Sequence, residues 1–300
     1  MTTDDVFVRL RQHLPTLRPH ERRIAEAALA DPDGVARMTI DGLAAHCSTS
    51  TATVARLCKS VGFSGYKDFC LSLTRASSSE SDRLQAFGVS DGDIDLGDST
   101  AEIVHKLAFH EAQAVQETAQ MLNLDDVDRV VDALVTAPFI DIYGSASSGL
   151  AAADLGQKLR RIGYLTGTWS DIHLALTSAA VLPAGAVAIA FSHSGETDDA
   201  VSTLETAKES GAFTVAVTNF PESTLAQKAD AVLTTVSRET RFRYGAMSSR
   251  MAQLMIVDII FMSVAMRNPT AVTAALTATF AAVEPRRHTR RTSREARPGN

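Results

Sequence analysis

Apolar residues recur at helical spacing through the first quarter of the chain and gather into short, nearly unbroken runs further on. In Glu21-Arg22-Arg23-Ile24-Ala25-Glu26-Ala27-Ala28-Leu29 the apolar positions share one face among strong helix formers, which predicts a helix. Asp31-Pro32-Asp33-Gly34 ends it. Short helices are expected to follow as far as Leu73, so residues 1 to about 76 read as all helical. From about residue 123 the texture alternates. Phe139–Tyr143, Ala186–Phe191, Phe213–Thr218 and Ala231–Val236 read as strands, and Leu150–Ile162 and Asp198–Ser210 as helices. Strands alternating with helices predict a parallel sheet covered on both faces. The expected fold is therefore multidomain: an all-α head followed by a three-layer, doubly wound α/β sandwich.

Between the two lies a polar stretch beginning Ser77-Ser78-Ser79-Glu80-Ser81-Asp82, with few large apolar residues, which reads as a linker over residues 78–98. Ser99 then has the position of an N-cap, with Glu102 as its capping-box partner, opening a long helix to Leu122. These boundaries divide the chain into a head (1–77), a linker (78–98), a sandwich with a leading helix (99–283) and an Arg-rich tail (284–300) expected to be disordered.

Charge qualifies this picture. The net charge is −6, which suits a nucleic-acid binder poorly, but it is unevenly spread. Residues 1–77 carry 10 Lys/Arg and 8 Asp/Glu, residues 78–283 carry 13 and 25, and residues 284–300 carry 6 and 2. The middle should repel phosphate backbones, so any DNA contact must come from the ends. Cys47, Cys58 and Cys70 form no C-x-x-C pair, so reduced cytosolic thiols are expected rather than a metal site or a disulfide framework. The start, MTTDDVFVRL, lacks a basic segment followed by an apolar run, and Met251–Met266 is interrupted by Gln253 and Asp258. No signal peptide or membrane span is expected, and the cytoplasm is the expected location.

Two constellations carry chemistry. In Met38–Lys59, Leu43 and Ala44 sit in a short helix, Cys47-Ser48-Thr49 makes a turn, and Ser50 is placed to N-cap a second helix. Val54, Leu57 and Val61 would pack inward. Ser50, Thr51, Thr53, Arg56 and Lys59 are the candidate DNA contacts, because a polar and basic outer face on a second short helix is what major-groove reading requires. Pattern alone equally fits a plain three-helix bundle. The turn departs from the usual helix-turn-helix pattern in having Ser48 for glycine and Thr49 for an aliphatic residue.

The second constellation is a pair of Ser-rich turns, Gly144-Ser145-Ala146-Ser147-Ser148-Gly149 and Ser192-His193-Ser194-Gly195-Glu196-Thr197, each after a strand and before a helix. In a doubly wound sheet, ligands bind outside the carboxyl ends of the strands. Helix N-termini there suit a phosphate, and hydroxyls add neutral donors. Ser, Gly and Thr also make ordinary turns and caps. His193 could face either a sugar or solvent.

With these residues read, the chain resembles the RpiR-type bacterial regulators over almost its whole length. The resemblance rests on Leu43-Ala44, Ser50 with Ala52-Thr53-Val54, Arg56 and Gly62-Phe63-Ser64-Gly65-Tyr66-Lys67-Asp68-Phe69 in the head. In the sandwich, which resembles a SIS (sugar isomerase) domain, it rests on Ile142-Tyr143-Gly144, Ser148-Gly149, Lys158-Leu159, Arg161-Ile162-Gly163, the 192–197 turn, Leu204, Thr218-Asn219 and Gly245–Leu254. It implies a DNA-binding regulator of carbohydrate metabolism, with a phosphosugar held by Ser148, Ser192, Ser194 and Thr197 and by the His193 backbone. No cofactor and no metal are implied, and the partners would be an operator, a sugar phosphate and further copies of the chain, as a homodimer or homotetramer. Ala146 stands where the family usually has glycine, and its methyl is expected to narrow the sugar's approach or shift the loop. The alternatives are a sugar-phosphate isomerase drawing a base from Glu196, His193 or Glu239, and an adaptor whose head contacts protein. Enzymatic activity is not the expected reading.

Overall fold

A computed structural model describes residues 6–89, 94–237 and 247–284. The head comprises α1 (Val6–His13), α2 (Pro19–Ala30), α3 (Pro32–Arg37), α4 (Ile40–His46), α5 (Thr51–Ser60) and α6 (Tyr66–Ala86). Phe7, Leu10, Ile24, Leu43, Leu57, Phe69 and Leu73 form its fully buried core. Pro32 ends α2 but also starts α3, occupying the first helical turn, where its missing N–H costs nothing. Tyr66 donates its hydroxyl to Met38 O at 3.0 Å, tying the start of α6 to the segment before α4.

The expected linker is in part a helix. α6 continues through residues 78–86, and the irregular connection begins only at Phe87. Past Leu73 none of its residues is buried. Glu80, Arg83 and Leu84 form one half-buried face on this part of α6, a stripe too polar to read as core-facing.

The sandwich begins with α7 (Thr100–Met121), opened by the expected capping box of Ser99 and Glu102. Then come α8 (Leu124–Thr136), β1 (Ile140–Gly144), α9 (Ala146–Arg161), β2 (Thr166–Trp169), α10 (Ile172–Ala179), β3 (Val187–Phe191), α11 (Asp198–Glu209), β4 (Phe213–Thr218), α12 (Thr224–Lys228), β5 (Ala231–Thr234), α13 (Met247–Arg267) and α14 (Pro269–Val283). The five strands are parallel in the order β2-β1-β3-β4-β5, with Ile142 opposite Ile189 and Ile189 opposite Val215. The two faces differ in bulk. Ile140, Ile142, Val187, Ile189, Phe191, Val215 and Val217 meet α8, α9 and α13. Ala188, Ala190 and Ala216 meet Ala175, Ala179 and Ala207 of α10 and α11. Small residues on both sides let α10 and α11 lie close to the sheet. α13 is long and apolar enough to cross a membrane by length and composition, but its Ile256, Val257, Ile260 and Val264 are buried in this core.

β2 was not legible in the apolar pattern. Its Thr-Gly-Thr-Trp sequence lies at a sheet edge, where one neighbour suffices. Gly167 is required there, because a Cβ would come within 2.3 Å of Asp141 Oδ1. Asp141, fully buried in β1, accepts hydrogen bonds from Tyr143 Oη (2.9 Å), Trp169 Nε1 (2.8 Å) and Ser178 Oγ (2.5 Å). Three neutral donors satisfy a carboxylate that burial would otherwise penalise.

Among the described residues, only Ser48 (φ 50°) and Ala146 (φ 48°) combine a left-handed backbone with a side chain. These are the two positions at which the sequence departs from an expected glycine. Ser48 follows α4 in a Schellman motif, with Thr49 N–H to Ala44 O at 2.8 Å and Ser48 N–H to Ala45 O at 3.1 Å. The left-handed region costs an L-residue about 1–2 kcal/mol, and glycine's extra chain entropy returns about half of that. Ser48→Gly and Ala146→Gly should therefore each stabilise the chain by about 0.5–1 kcal/mol. Urea denaturation would check this, and a loss of stability in either variant would contradict the strain.

Candidate DNA-reading helix and ligand crevice

The strand order places a topological switch between β1 and β3. From β1 the chain passes to α9 on one face of the sheet, and from β3 to α11 on the other. The carboxyl ends of two such strands open a crevice, the ordinary ligand site of open α/β sheets. The two Ser-rich turns leave adjacent strand ends, where Gly144 pairs with Phe191.

The 192–197 turn is braced from behind. Ser192 is buried, and its Oγ accepts the Gly195 N–H at 3.1 Å and lies 3.2 Å from Thr197 Oγ1. Ser194 Oγ accepts the Glu196 N–H at 3.2 Å. His193 O accepts from Asn219 N (3.1 Å) and Thr218 Oγ1 (3.2 Å), and the His193 ring lies edge-on to Phe220. Gly195 has φ 66°, and a Cβ there would meet Ser223 Oγ at 2.1 Å. Thr197 N-caps α11 without a side-chain cap bond; the Ala200 amide donates to Thr197 O at 3.0 Å, and Asp198 and Asp199 bring carboxylates to the same turn.

Across the switch, Ser148 is half-buried and its Oγ accepts from Gln253 Nε2 at 3.0 Å. Gln253 itself is buried, so α13 orients this hydroxyl. Gly144 is needed at the turn, since a Cβ would come 2.7 Å from Ser148 O. Ala146, the first residue of α9, is exposed, and the helix forms despite its methyl. A cavity of about 30 Å³ adjoins this turn, with Gly144, Ser145, Trp169, Asp171 and Asp199 in its wall.

Glu196, a candidate base, is committed elsewhere. Its two carboxylate oxygens accept from Thr224 Oγ1 (2.6 Å) and Thr224 N (2.9 Å), and those bonds hold its pKa below the ordinary value. The contribution to stability is present above the ordinary glutamate range and is lost as pH falls through the lowered value. Thr224→Val removes the hydroxyl bond and should raise the Glu196 pKa, as read by NMR titration. An unchanged pKa would show that the hydroxyl does not hold it. Glu239, Gly245 and Ala246, and the tail from residue 285, lie outside the described residues.

In the head, Ser50 N-caps α5 as expected, accepting the Thr53 N–H at 3.2 Å. Val54, Leu57 and Val61 are buried. Arg56 and Lys59 are exposed and Thr51 is half-buried. Thr53 does not belong with them: it is buried, its hydroxyl engaged by Ser50 Oγ (2.9 Å) and Arg56 Nη2 (3.2 Å). Sequence reasoning missed Arg23, whose guanidinium donates to Cys47 O (3.1 Å) and Ser48 O (3.0 Å) and so ties α2 to the turn. Burial pushes the Cys58 thiol up to about 12 and raises Cys47 and Cys70 as well, leaving all three protonated.

A continuous set of contacts joins the two regions. Thr118 Oγ1, fully buried on α7, accepts from Val236 N (2.9 Å) and donates to Val236 O (3.3 Å). Ser237 N donates to Asn219 Oδ1 at 2.8 Å, and Asn219 N to His193 O. Nearer the start of α7, Phe109 meets Phe87 edge-on at 5.8 Å, just past the end of α6. The nearly buried Lys106–Asp98 pair, 2.9 Å apart, holds the connection down.

Comparison with known proteins agrees with both halves. Residues 5–80 match the helix-turn-helix domain of the rpiR family, and residues 133–263 match the SIS domain. An HTH-type transcriptional regulator of Caldanaerobacter subterraneus is 36% identical over 263 residues, 88% of this chain and 91% of that one. YbbH of Bacillus subtilis, an HTH-type transcriptional regulator, is 32% identical over 89% of this chain and 93% of its own. Vibrio vulnificus NanR, solved in complex with ManNAc-6P, superposes with a TM-score of 0.59 at 28% identity, covering 93% of this chain and 98% of NanR. The sugar isomerase domain of an RpiR transcription factor from Sphaerobacter thermophilus shares the fold, with a TM-score of 0.54 at 21% identity over 60% of this chain and 99% of its own. With head and sandwich matched in the same order over nearly the whole length of such regulators, the chain belongs to the rpiR-family helix-turn-helix transcriptional regulators that carry a SIS domain.

Proposed function

We propose that this regulator binds operator DNA through α5, and that a sugar phosphate seated between the 144–149 and 192–197 turns changes its affinity for that DNA. The observation that carries the reading is the hydroxyl-lined crevice at the β1/β3 switch, tied through Asn219, Ser237 and Thr118 to α7 and thence to the head. Ser148, Ser192, Ser194 and Thr197 with the His193 backbone would hold the phosphosugar, and the complex of NanR with ManNAc-6P supports that ligand class. Coupling requires the ligand to bind one arrangement of the chain better than the other. Two heads in a homodimer or homotetramer would read inverted half-sites about one helical turn apart, or a multiple of it. Such a regulator works in the cytoplasm. Glu196 spends both oxygens on Thr224, which favours a sensor over an isomerase.

The test is a mobility shift with the upstream region of the chain's own gene, titrated with a panel of sugar phosphates ranked first by thermal shift. A retarded complex is expected, with a dissociation constant that one sugar phosphate moves by about 5–150-fold. Failure to bind any DNA, or stabilising ligands that leave DNA affinity unchanged, would refute the proposal. Turnover of fructose 6-phosphate or a related ester would overturn the regulator-only reading.

A further inference from the structure

On α5, three side chains three residues apart form one hydrogen-bonded chain. Ser50 Oγ lies 2.9 Å from Thr53 Oγ1, and Arg56 Nη2 donates to Thr53 Oγ1 at 3.2 Å. Ser50 is fixed in turn by accepting the Thr53 N–H. The chain runs backwards along the helix, so the Arg56 guanidinium is drawn toward the N-terminal end of α5. That end of a recognition helix is the one that meets base edges. Thr53 is buried while Arg56 is exposed, so the hydroxyl is an inner anchor for an outer cation. Among the described residues no carboxylate pairs with Arg56.

A free arginine side chain samples many rotamers, and ordering it on DNA weakens binding. Thr53 orders it beforehand with one of the five guanidinium donors, leaving enough N–H groups for a bidentate contact. The face beside it is bare. Ala52, one turn nearer the N-terminus, is exposed, and Ala55 is half-buried, so on that side small side chains let a groove floor approach, while Lys59 stands on the other. A pre-aimed guanidinium on a shallow apolar face suits guanine, whose O6 and N7 accept two parallel hydrogen bonds, and a methyl such as that of Ala52 suits a thymine methyl.

We propose that Thr53 is a positioning residue that aims Arg56 at a guanine in each half-site. This rests on α5 being the recognition helix. Thr53 touches no base, and acts through the direction and restricted freedom of the Arg56 side chain.

The experiment selects binding sites from randomised duplex DNA with the full-length chain and with Arg56→Ala, Thr53→Val and Thr53→Ser, each confirmed folded by thermal melting. The wild-type motif should contain a guanine in each half-site, preferred by about tenfold or more, and Arg56→Ala should lose that preference. Thr53→Val keeps the branched shape and removes the hydroxyl, so it should weaken preference at that guanine alone by several-fold. Thr53→Ser should restore it. Undiminished guanine preference in Thr53→Val overturns the proposal. So does an equal loss in Thr53→Ser, or a loss spread evenly over all positions, since either would mark a packing role. A wild-type chain that selects no motif, or an Arg56→Ala chain that selects the wild-type motif, overturns the assignment of α5 and the proposal with it.

Discussion

Replacing Ser192 and Ser194 together by alanine is expected to abolish the thermal stabilisation that a phosphosugar gives the wild-type chain. Both hydroxyls hold loop amides in place, Ser192 Oγ receiving Gly195 N–H and Ser194 Oγ receiving Glu196 N–H. Their removal takes away two donors to a phosphate and also the bonds that shape the turn receiving it. A ligand at one hundred times its dissociation constant stabilises a folded chain by about 2.7 kcal/mol. Loss of the whole shift therefore corresponds to affinity weakened by about a hundredfold or more. The Ser192 substitution also takes the side-chain acceptor from the Gly195 N–H, leaving it only the Ser192 carbonyl at 3.2 Å, so the free chain is weakened as well. The comparison must accordingly be the shift with ligand against without it, in each variant. An undiminished shift in the double variant would remove these serines from the site.

The second large effect is expected from Gly195→Ala. Its φ of 66° lies in the left-handed region, and the added Cβ would come 2.1 Å from Ser223 Oγ, 2.5 Å from Ser223 Cβ and 2.8 Å from Thr218 Oγ1. The backbone term costs about 1–2 kcal/mol and the overpacking about 1–3 kcal/mol. Urea denaturation should show a loss of about 2–5 kcal/mol, accompanied by failure to bind phosphosugar, because the turn can accommodate the methyl only by leaving Ser223. Wild-type stability would show that the turn has room the geometry denies. Ala146 makes the contrast plain: it also holds a left-handed backbone, but it is exposed, so strain is its only cost.

Four of the five strands and both Ser-rich turns were legible because buried parallel strands are continuous apolar runs and the turns follow them directly. β2 was not, because an edge strand can be built from Thr, Gly and Trp without such a run. The second half of α6 was hidden for the opposite reason: hydrophobic periodicity reports an apolar face, and the half-buried face of residues 78–86 is made of Glu80, Arg83 and Leu84. The burial of Thr53 was not legible because position on a helical wheel does not show that a short side chain will turn toward a cap. Ser48 and Ala146 are the reverse lesson. Each was visible as a break in an expected glycine, and only the backbone dihedrals show that the break is paid for in conformation. How the crevice is connected to α7 was not legible at all, because Thr118 and Val236 are 118 residues apart in sequence.

α6 has 21 residues, which at 1.5 Å per residue makes a rod of about 31 Å. One end is built into the head and the other stops at the ring contact between Phe87 and Phe109. A rod held this way acts as a lever arm. Pivoting it by about 10° at the phenylalanine contact would carry its far end through about 5 Å, more than the 3.4 Å step between successive base pairs. An ångström-scale displacement at that contact would thus be geared into a misfit of a whole base pair at the groove, and a stiff helix would do this better than the flexible tether its composition suggested.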